Sequence, residues 1–201
     1  MKPHLVARTI GCLLAAGALP LAAQPPLATS TRSAVDATVG NQVLQLRYLT
    51  NSPFNGIGNN VDYGVLLTEN REFMASAALM FDTEIAPVPR LRLQVGPQVS
   101  LAWLEAAHKT DVFAASLGAI ARYELLQRLG LSAFGGGFYS PGVTTFGNAH
   151  NMYDFTAGAE VRLAGRLYAL GGYRWLKFTL VDEPDERLAN EVFAGIRWQL
   201  E

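Results

Sequence analysis

Residues 191–200 read EVFAGIRWQL, and their polarity alternates at almost every position. The odd positions include Glu191, Arg197 and Gln199. Successive side chains of a β-strand point to opposite faces, so this segment predicts a strand with one apolar and one largely polar face. The apolar side chains occupy the even positions, namely Val192, Ala194, Ile196, Trp198 and Leu200.

The same alternation recurs along most of the chain and predicts a series of strands. The nine segments that show it are 42–50, 57–69, 72–82, 91–103, 112–124, 129–140, 153–163, 167–179 and 191–200. A tenth candidate is the alternating piece around Ala37, just before the turn pair Gly40-Asn41. Bacterial single-chain membrane barrels have even strand numbers, which favours ten strands over the eight obtained by merging the weakest pair.

The first residues have the features of a secretory leader. Lys2 and Arg8 flank the start of a short apolar run. Pro20 ends this run before Leu21-Ala22-Ala23, where small residues suit a cleavage site. We therefore expect a signal peptide at 1–23, a flexible periplasmic segment at 24–32 and a β-barrel domain at 33–201. The single cysteine, Cys12, would be removed with the leader, so no disulfide is expected.

Composition narrows the fold class. Half of the residues are hydrophobic, yet no segment beyond the leader holds the 18 or so consecutive apolar residues of a membrane-spanning helix. A soluble β-sandwich would also alternate, but the leader, the number of strands and the aromatics near strand ends favour a membrane barrel. A sheet in lipid must close, because open edges leave backbone groups unsatisfied. The sequence thus predicts an all-β protein, a closed antiparallel transmembrane β-barrel of 8–10 strands in the cell outer membrane.

The two faces of these strands predict two kinds of surface. On the outward face, rings near strand ends suit an aromatic belt at the lipid headgroups, formed by Trp103, Tyr123, Tyr139, Tyr153, Tyr173, Trp175 and Trp198. Charged residues fall on the lumen face, namely Arg92, Arg122, Glu124, Glu160, Arg162, Arg174, Glu191 and Arg197. In a narrow barrel these charges pair and fill the lumen, whereas in a wider one they line a small polar channel.

Catalytic and metal-binding patterns are sparse. His108 and His150 lie in separate predicted loops, and no Gly-x-Ser-x-Gly elbow accompanies them. Asp154, Thr144 and Thr145 near His150 are the only candidates for a lipid-modifying site. The acidic run 182–186 lacks the spacing of a calcium loop, so a solvated loop tip is the simpler interpretation. We expect no catalysis, no cofactor and no metal site.

The second half of the chain resembles the YfaZ family of predicted outer-membrane proteins. The resemblance rests on Phe138-Tyr139-Ser140-Pro141, on Phe146-Gly147-Asn148-Ala149 before Tyr153, on Gly172-Tyr173-Arg174 and on Phe193-Ala194-Gly195-Ile196. It implies a signal peptide, a β-barrel and an outer-membrane location, and it implies no activity and no functional residues.

These observations favour a small structural or weakly porin-like barrel. Its expected partners are outer-membrane lipids, lipopolysaccharide and the outer-membrane assembly machinery. Without the leader, the chain has 14 basic and 17 acidic residues. The basic residues form no block, so no nucleic-acid partner is expected. Two alternatives stay open: a lipid-modifying barrel enzyme, and a soluble periplasmic barrel that binds a small apolar ligand. If the faces are assigned correctly, Ile196→Arg is costly in the membrane, whereas Arg197→Gln alters only the electrostatics of the lumen.

Overall fold

A computed structural model describes residues 33–52, 60–84, 88, 90–105, 110–181 and 184–200. The predicted leader and the predicted segment 24–32 lie outside the described residues. So does His108.

The described chain forms eleven antiparallel strands joined mostly by short connections. Two 3-10 turns lie at Gln127–Leu129 and Gly142–Thr144. The strands are β1 (Ala34–Val39), β2 (Val43–Asn51), β3 (Asn60–Thr68), β4 (Phe73–Glu84), β5 (Leu91–Leu104), β6 (Thr110–Leu126), β7 (Leu131–Ser140), β8 (Thr145–Gly147), β9 (Ala149–Ala164), β10 (Leu167–Leu180) and β11 (Glu186–Gln199).

Ten of these strands close into a barrel. Each pairs with its neighbour around the ring, and the first strand pairs with the last, from Ala34 opposite Gln199 to Val39 opposite Ala194. The short strand β8 lies outside this ring of ten and pairs with β6, where Phe113 faces Phe146. The prediction of a closed antiparallel barrel is confirmed, and of the two predicted strand counts ten is correct.

The two ends of the barrel differ, and we name them by their connections. The turn end carries the connections between β2 and β3 (52–59), β4 and β5 (85–90), β6 and β7 (127–130) and β9 and β10 (165–166), together with the start of β1 and the end of β11. The loop end carries 40–42, 69–72, 105–109, 141–148 and 181–185. Gly165 has a left-handed φ of 49°, which lets a two-residue turn join β9 to β10.

The loops at the loop end are shorter than the sequence pattern predicts. The gaps between the predicted strands indicate loops at 141–152 and 181–190, but β9 begins at Ala149 and β11 begins at Glu186. The alternation is hidden there by irregular pairing, since the register of β10 against β11 shifts between Leu176 and Lys177. Leu188 and Ala189 are consequently both buried, which breaks the period of two.

Candidate functional site in the lumen

A chain of ion pairs crosses the lumen. Arg197 on β11 forms a two-pronged contact with Asp36 on β1, with Nε–Oδ1 and Nη2–Oδ2 distances both 2.7 Å. Its Nη1 donates to Glu160 Oε2 at 2.6 Å, and Arg122 Nη1 donates to Glu160 Oε1 at 2.6 Å. Asp36, Glu160 and Arg197 are each no more than 7% exposed. Four strands are thus linked through their side chains across the interior.

Two further ion pairs lie on the same inner face. Arg47 on β2 bonds to Asp62 on β3, and Arg174 Nη2 on β10 donates to Asp154 Oδ2 on β9 at 2.8 Å. Charged groups out of water are tolerated when they are paired in this way. We call these pairs together the ion-pair layer, which consists of Asp36, Arg47, Asp62, Arg122, Asp154, Glu160, Arg174 and Arg197.

Seven of the eight residues of the ion-pair layer, all except Glu160, line a cavity of about 100 Å³. Asn60 and Arg174 both line it, and each carries a buried polar atom without a protein partner, Asn60 Oδ1 and Arg174 Nε. A polar cavity of this size has room for several water molecules. Solvent approaches the layer from the turn end, where the Arg122 side chain is 35% exposed and its cross-strand partner Arg92 is exposed.

The loop end of the lumen is filled by apolar side chains instead. Phe178, Leu176 and Met152 are fully buried, and Leu104 and Leu66 are at most 2% exposed. Eight strands contribute to this cluster, so it closes the lumen across its width. We call it the apolar seal, which consists of Val43, Leu66, Met74, Ala102, Leu104, Val112, Ala114, Ala149, Met152, Leu176, Phe178, Leu180, Leu188 and Ala189.

Three phenylalanine rings narrow the middle of the lumen, and each lies over a glycine on the next strand. The cross-strand pairs are Phe138 with Gly118, Phe134 with Gly158, and Phe193 with Gly172. A Cβ at Gly158 would lie 2.9 Å from Phe134 Cζ and 2.3 Å from the Gly171 carbonyl oxygen. Glycine is needed there because only a residue without a side chain leaves room for the ring.

The predicted lumen charges outside the ion-pair layer lie near the two rims. Arg92 and Arg162 are exposed at the turn end, near the half-buried Glu124. Arg162 Nε donates to Tyr168 Oη at 3.1 Å, and its Cζ lies 5.4 Å from the centre of that ring. Glu191 lies toward the loop end and accepts a hydrogen bond from the Gln42 backbone N–H at 2.7 Å.

The predicted belt aromatics lie on the outer face. Tyr139 contacts Tyr153 with ring centres 5.0 Å apart, and Tyr153 contacts Trp175 at 5.9 Å. Trp103 stacks against Phe73 at the loop end, and Trp198 is 61% exposed near the turn end. The outer face also exposes Tyr123 and Tyr173.

The residues near His150 are engaged in other contacts. Asp154 is paired with Arg174 in the lumen. Thr144 and Thr145 share hydrogen bonds with Ser140, whose Oγ also donates to the Ala115 carbonyl oxygen at 2.8 Å. These hydroxyls hold the chain where β7 ends and the path turns toward β8. Among the described residues no group of three or more potential metal ligands comes together.

One acidic side chain at the loop end has a raised pKa. Glu72, in the turn between β3 and β4, is only 3% exposed. Burial raises the pKa of Glu72, the charge of Glu186 raises it further, and a hydrogen bond with Thr68 lowers it. Thr68 Oγ1 donates to Glu72 Oε2 and accepts from the Glu72 backbone N–H, both at 3.1 Å.

Sequence reasoning did not select Asp36, Arg47 and Asp62 as lumen residues. Each lies on the polar face of an alternating segment, and that position is a usable signal for a lumen charge. Asp154 is also missing from the predicted lumen charges, although the pattern places it on the polar face of the same strand as Glu160.

Fold and lumen together define a class: a closed antiparallel β-barrel with an apolar outer face and a polar, ion-paired interior. The chain belongs to the YfaZ family, because the family model described as YfaZ precursor matches residues 28–200. The matched residues begin after the predicted leader. No curated protein and no solved structure matches the chain. The described residues include no helix with the length and apolar character needed to traverse a bilayer.

Proposed function

We propose that the protein spans the outer membrane as a closed barrel whose lumen does not conduct, and that its role there is structural rather than catalytic. The observation that carries this proposal is the apolar seal. Side chains from eight strands meet at the loop end, and the ion-pair layer occupies the lumen behind them. An ion crossing this lumen would have to pass apolar side chains that cannot replace its hydration shell.

The outer face supports insertion into lipid. Leu117 and Val192 are 71% and 73% exposed near the middles of their strands, and Leu46, Leu101 and Ile196 are each about half exposed. Soluble monomers rarely expose a continuous apolar surface of this kind. In a membrane barrel, by contrast, an outward apolar band about 25 Å tall meets the hydrocarbon.

The ends of the strand series support one orientation. A barrel of ten strands brings the start of β1 and the end of β11 to the same end, which is the turn end. A chain exported with a leader reaches the outer membrane from the periplasm, so the turn end is assigned to the periplasm and the loop end to the cell surface. In this orientation lipopolysaccharide surrounds the loop end, and the assembly machinery meets the strands from the periplasmic side.

Fractionation combined with a gel-shift assay tests the membrane assignment. We expect the protein in outer-membrane fractions, and we expect an unheated sample to migrate differently from a boiled one, because a closed barrel resists the detergent until heated. Recovery in the soluble periplasm would overturn the assignment and favour the soluble ligand-binding barrel.

Conductance in planar bilayers tests the occlusion. We expect no discrete openings from the folded protein at moderate voltage. Reproducible unitary openings would overturn the non-conducting lumen and favour the weakly porin-like alternative. Lipid profiles of a deletion strain test the enzymatic alternative, for which we expect unchanged lipid A and phospholipid.

A further inference from the structure

The connections at the two ends of the barrel carry opposite charge. Among the residues that the structure describes, the connections at the turn end contain Arg90, Arg128 and Arg166 and no acidic residue. The described residues of the loop-end connections contain one basic residue, Arg71, against four acidic ones, Glu69, Glu72, Glu105 and Asp185. Charge divided in this way gives each end a field of its own sign.

The three arginines of the turn end lie on neighbouring connections. The Arg90 carbonyl oxygen accepts a hydrogen bond from the Glu124 N–H on β6, so its turn adjoins the strand that leads to Arg128. Gly130, which follows Arg128, packs closely on Arg162 of β9. Arg166 then joins β11 through its carbonyl oxygen, which accepts from the Gln199 N–H. The three connections therefore form one continuous arc around the rim.

The side chains of this arc are accessible. Arg90, Arg128 and Arg166 are all exposed, whereas the exposed Arg92 and Arg162 lie on the lumen face. We call Arg90, Arg128 and Arg166 the arginine arc. Guanidinium groups suit phosphate, because their planar donors bind its oxygens in pairs.

Exposed apolar side chains adjoin the arginine arc. Leu125, Leu126 and Leu129 are 43%, 51% and 57% exposed near Arg128, and Leu163, three positions before Arg166, is 58% exposed. The arc is thus continuous with the outer face that we assign to lipid. Cations directly beside a lipid-facing apolar surface lie at the depth of the headgroups, which distinguishes a lipid from a soluble partner.

We propose that the arginine arc binds the phosphate groups of anionic phospholipids in the periplasmic leaflet of the outer membrane. This inference rests on the proposed membrane insertion and orientation. It assigns to the turn end a preference for anionic over zwitterionic headgroups, and it assigns no such preference to the loop end.

Tryptophan quenching by brominated lipids measures this preference locally. Trp198 lies near the arc, since it pairs with Leu167 directly after the Gly165-Arg166 turn. Trp103 lies at the opposite end, beside Phe73. Two single-tryptophan proteins serve as reporters: Trp103→Phe/Trp175→Phe retains Trp198, and Trp175→Phe/Trp198→Phe retains Trp103.

Each reporter is reconstituted in vesicles that mix phosphatidylcholine with brominated phosphatidylglycerol, or with brominated phosphatidylcholine. At Trp198 we expect anionic lipid to be preferred about fivefold for each arginine that contacts a headgroup. At Trp103 we expect no preference. The preference at Trp198 should fall in 1 M salt, which provides a test without any arginine variant.

The variant Arg90→Gln/Arg128→Gln/Arg166→Gln should lose the preference at Trp198. The matched control is Arg71→Gln/Arg187→Gln, which removes exposed cations at the loop end and should retain it. Equal quenching by both lipids at Trp198, in protein that shows the heat-dependent gel shift, would overturn the inference while leaving the membrane assignment intact. Loss of the gel shift itself would overturn the proposed function instead. Arginine-dependent retention on purified peptidoglycan without a lipid preference would overturn the inference in favour of a cell-wall partner.

Discussion

The two halves of the lumen are filled with opposite kinds of side chain. Toward the loop end, the apolar seal excludes water because its side chains pack closely. Toward the turn end, the lumen is occupied by the ion pairs of the ion-pair layer. The two regions respond differently to the loss of a side chain. A shortened apolar side chain leaves a cavity whose cost depends on how far the surroundings relax. A removed ion partner leaves a buried charge without compensation.

The sharpest way to test this difference is Arg197→Gln. Arg197 serves two carboxylates, Asp36 and Glu160, and neither is more than 7% exposed. The variant should lower the free energy of unfolding by about 3–5 kcal/mol, as expected for a broken buried pair. Urea titration of the barrel in detergent measures the change. The two buried contacts of Arg197 thus predict a larger effect than the change in lumen electrostatics alone that is expected from the sequence.

Arg92→Gln is the control for this variant. Its side chain is exposed at the turn end, so its replacement should change stability by less than about 0.5 kcal/mol. Unfolding of both variants at the same urea concentration as the wild type would contradict the assigned importance of the ion-pair layer. The double variant Asp36→Asn/Arg197→Gln should cost less than the sum of its single changes, because the two charges are removed together.

The apolar seal is tested by Leu176→Ala. Leu176 is fully buried in the seal, and truncation of a buried leucine costs about 2–5 kcal/mol. We expect a cost near the lower end of this range, because flexible side chains such as Met152 and Met74 belong to the same cluster and can partly fill the space. The same urea titration measures it. If this variant unfolds at the same urea concentration as the wild type, the loop end is loosely packed.

Two substitutions on the outer face test whether the barrel that holds these two interior halves spans a lipid bilayer. Leu117→Arg places a charge near the middle of β6 and should cost about 2–4 kcal/mol in vesicles. Leu125→Arg, on the same face near the turn end, should cost only about 0–1 kcal/mol, because the charge reaches the headgroups. Equal costs at the two depths would argue against a spanning orientation.

The smallest effect is expected at the loop-end rim. Because the pKa of Glu72 is raised in the folded state, the fold binds this proton more tightly than the unfolded chain, and stability falls as pH rises above the ordinary value of 4.5. Glu72→Gln should therefore raise the midpoint of the heat-dependent gel shift at pH 8 and leave it nearly unchanged at pH 4. Glu69→Gln, which removes an exposed carboxylate from the same turn, is the matched control.

The alternation of apolar and polar residues was enough to predict the barrel and the outer and inner faces of its strands. It was not enough to predict which charged residues pair in the lumen. It placed Ile196 outside and Arg197 inside, where the structure has them. It could not show that Arg197 meets Glu160, because that contact depends on the stagger between strands rather than on the pattern within one strand. The bulge near Leu188 and the short strand β8 were missed because both interrupt the period of two on which the prediction relied.

The seam between β1 and β11 has a consequence for how the barrel is made. Asp36 and Arg197 are separated by 161 positions, so their contact forms only after almost the entire chain is present. Contacts between such distant residues form slowly, because a long loop must close first. A chain cut short before β11 would leave the Asp36 carboxylate without its guanidinium and two strand edges unpaired. Closure of the wall therefore waits for the last strand, and a chain that lacks this strand has no stable way to remain in the bilayer.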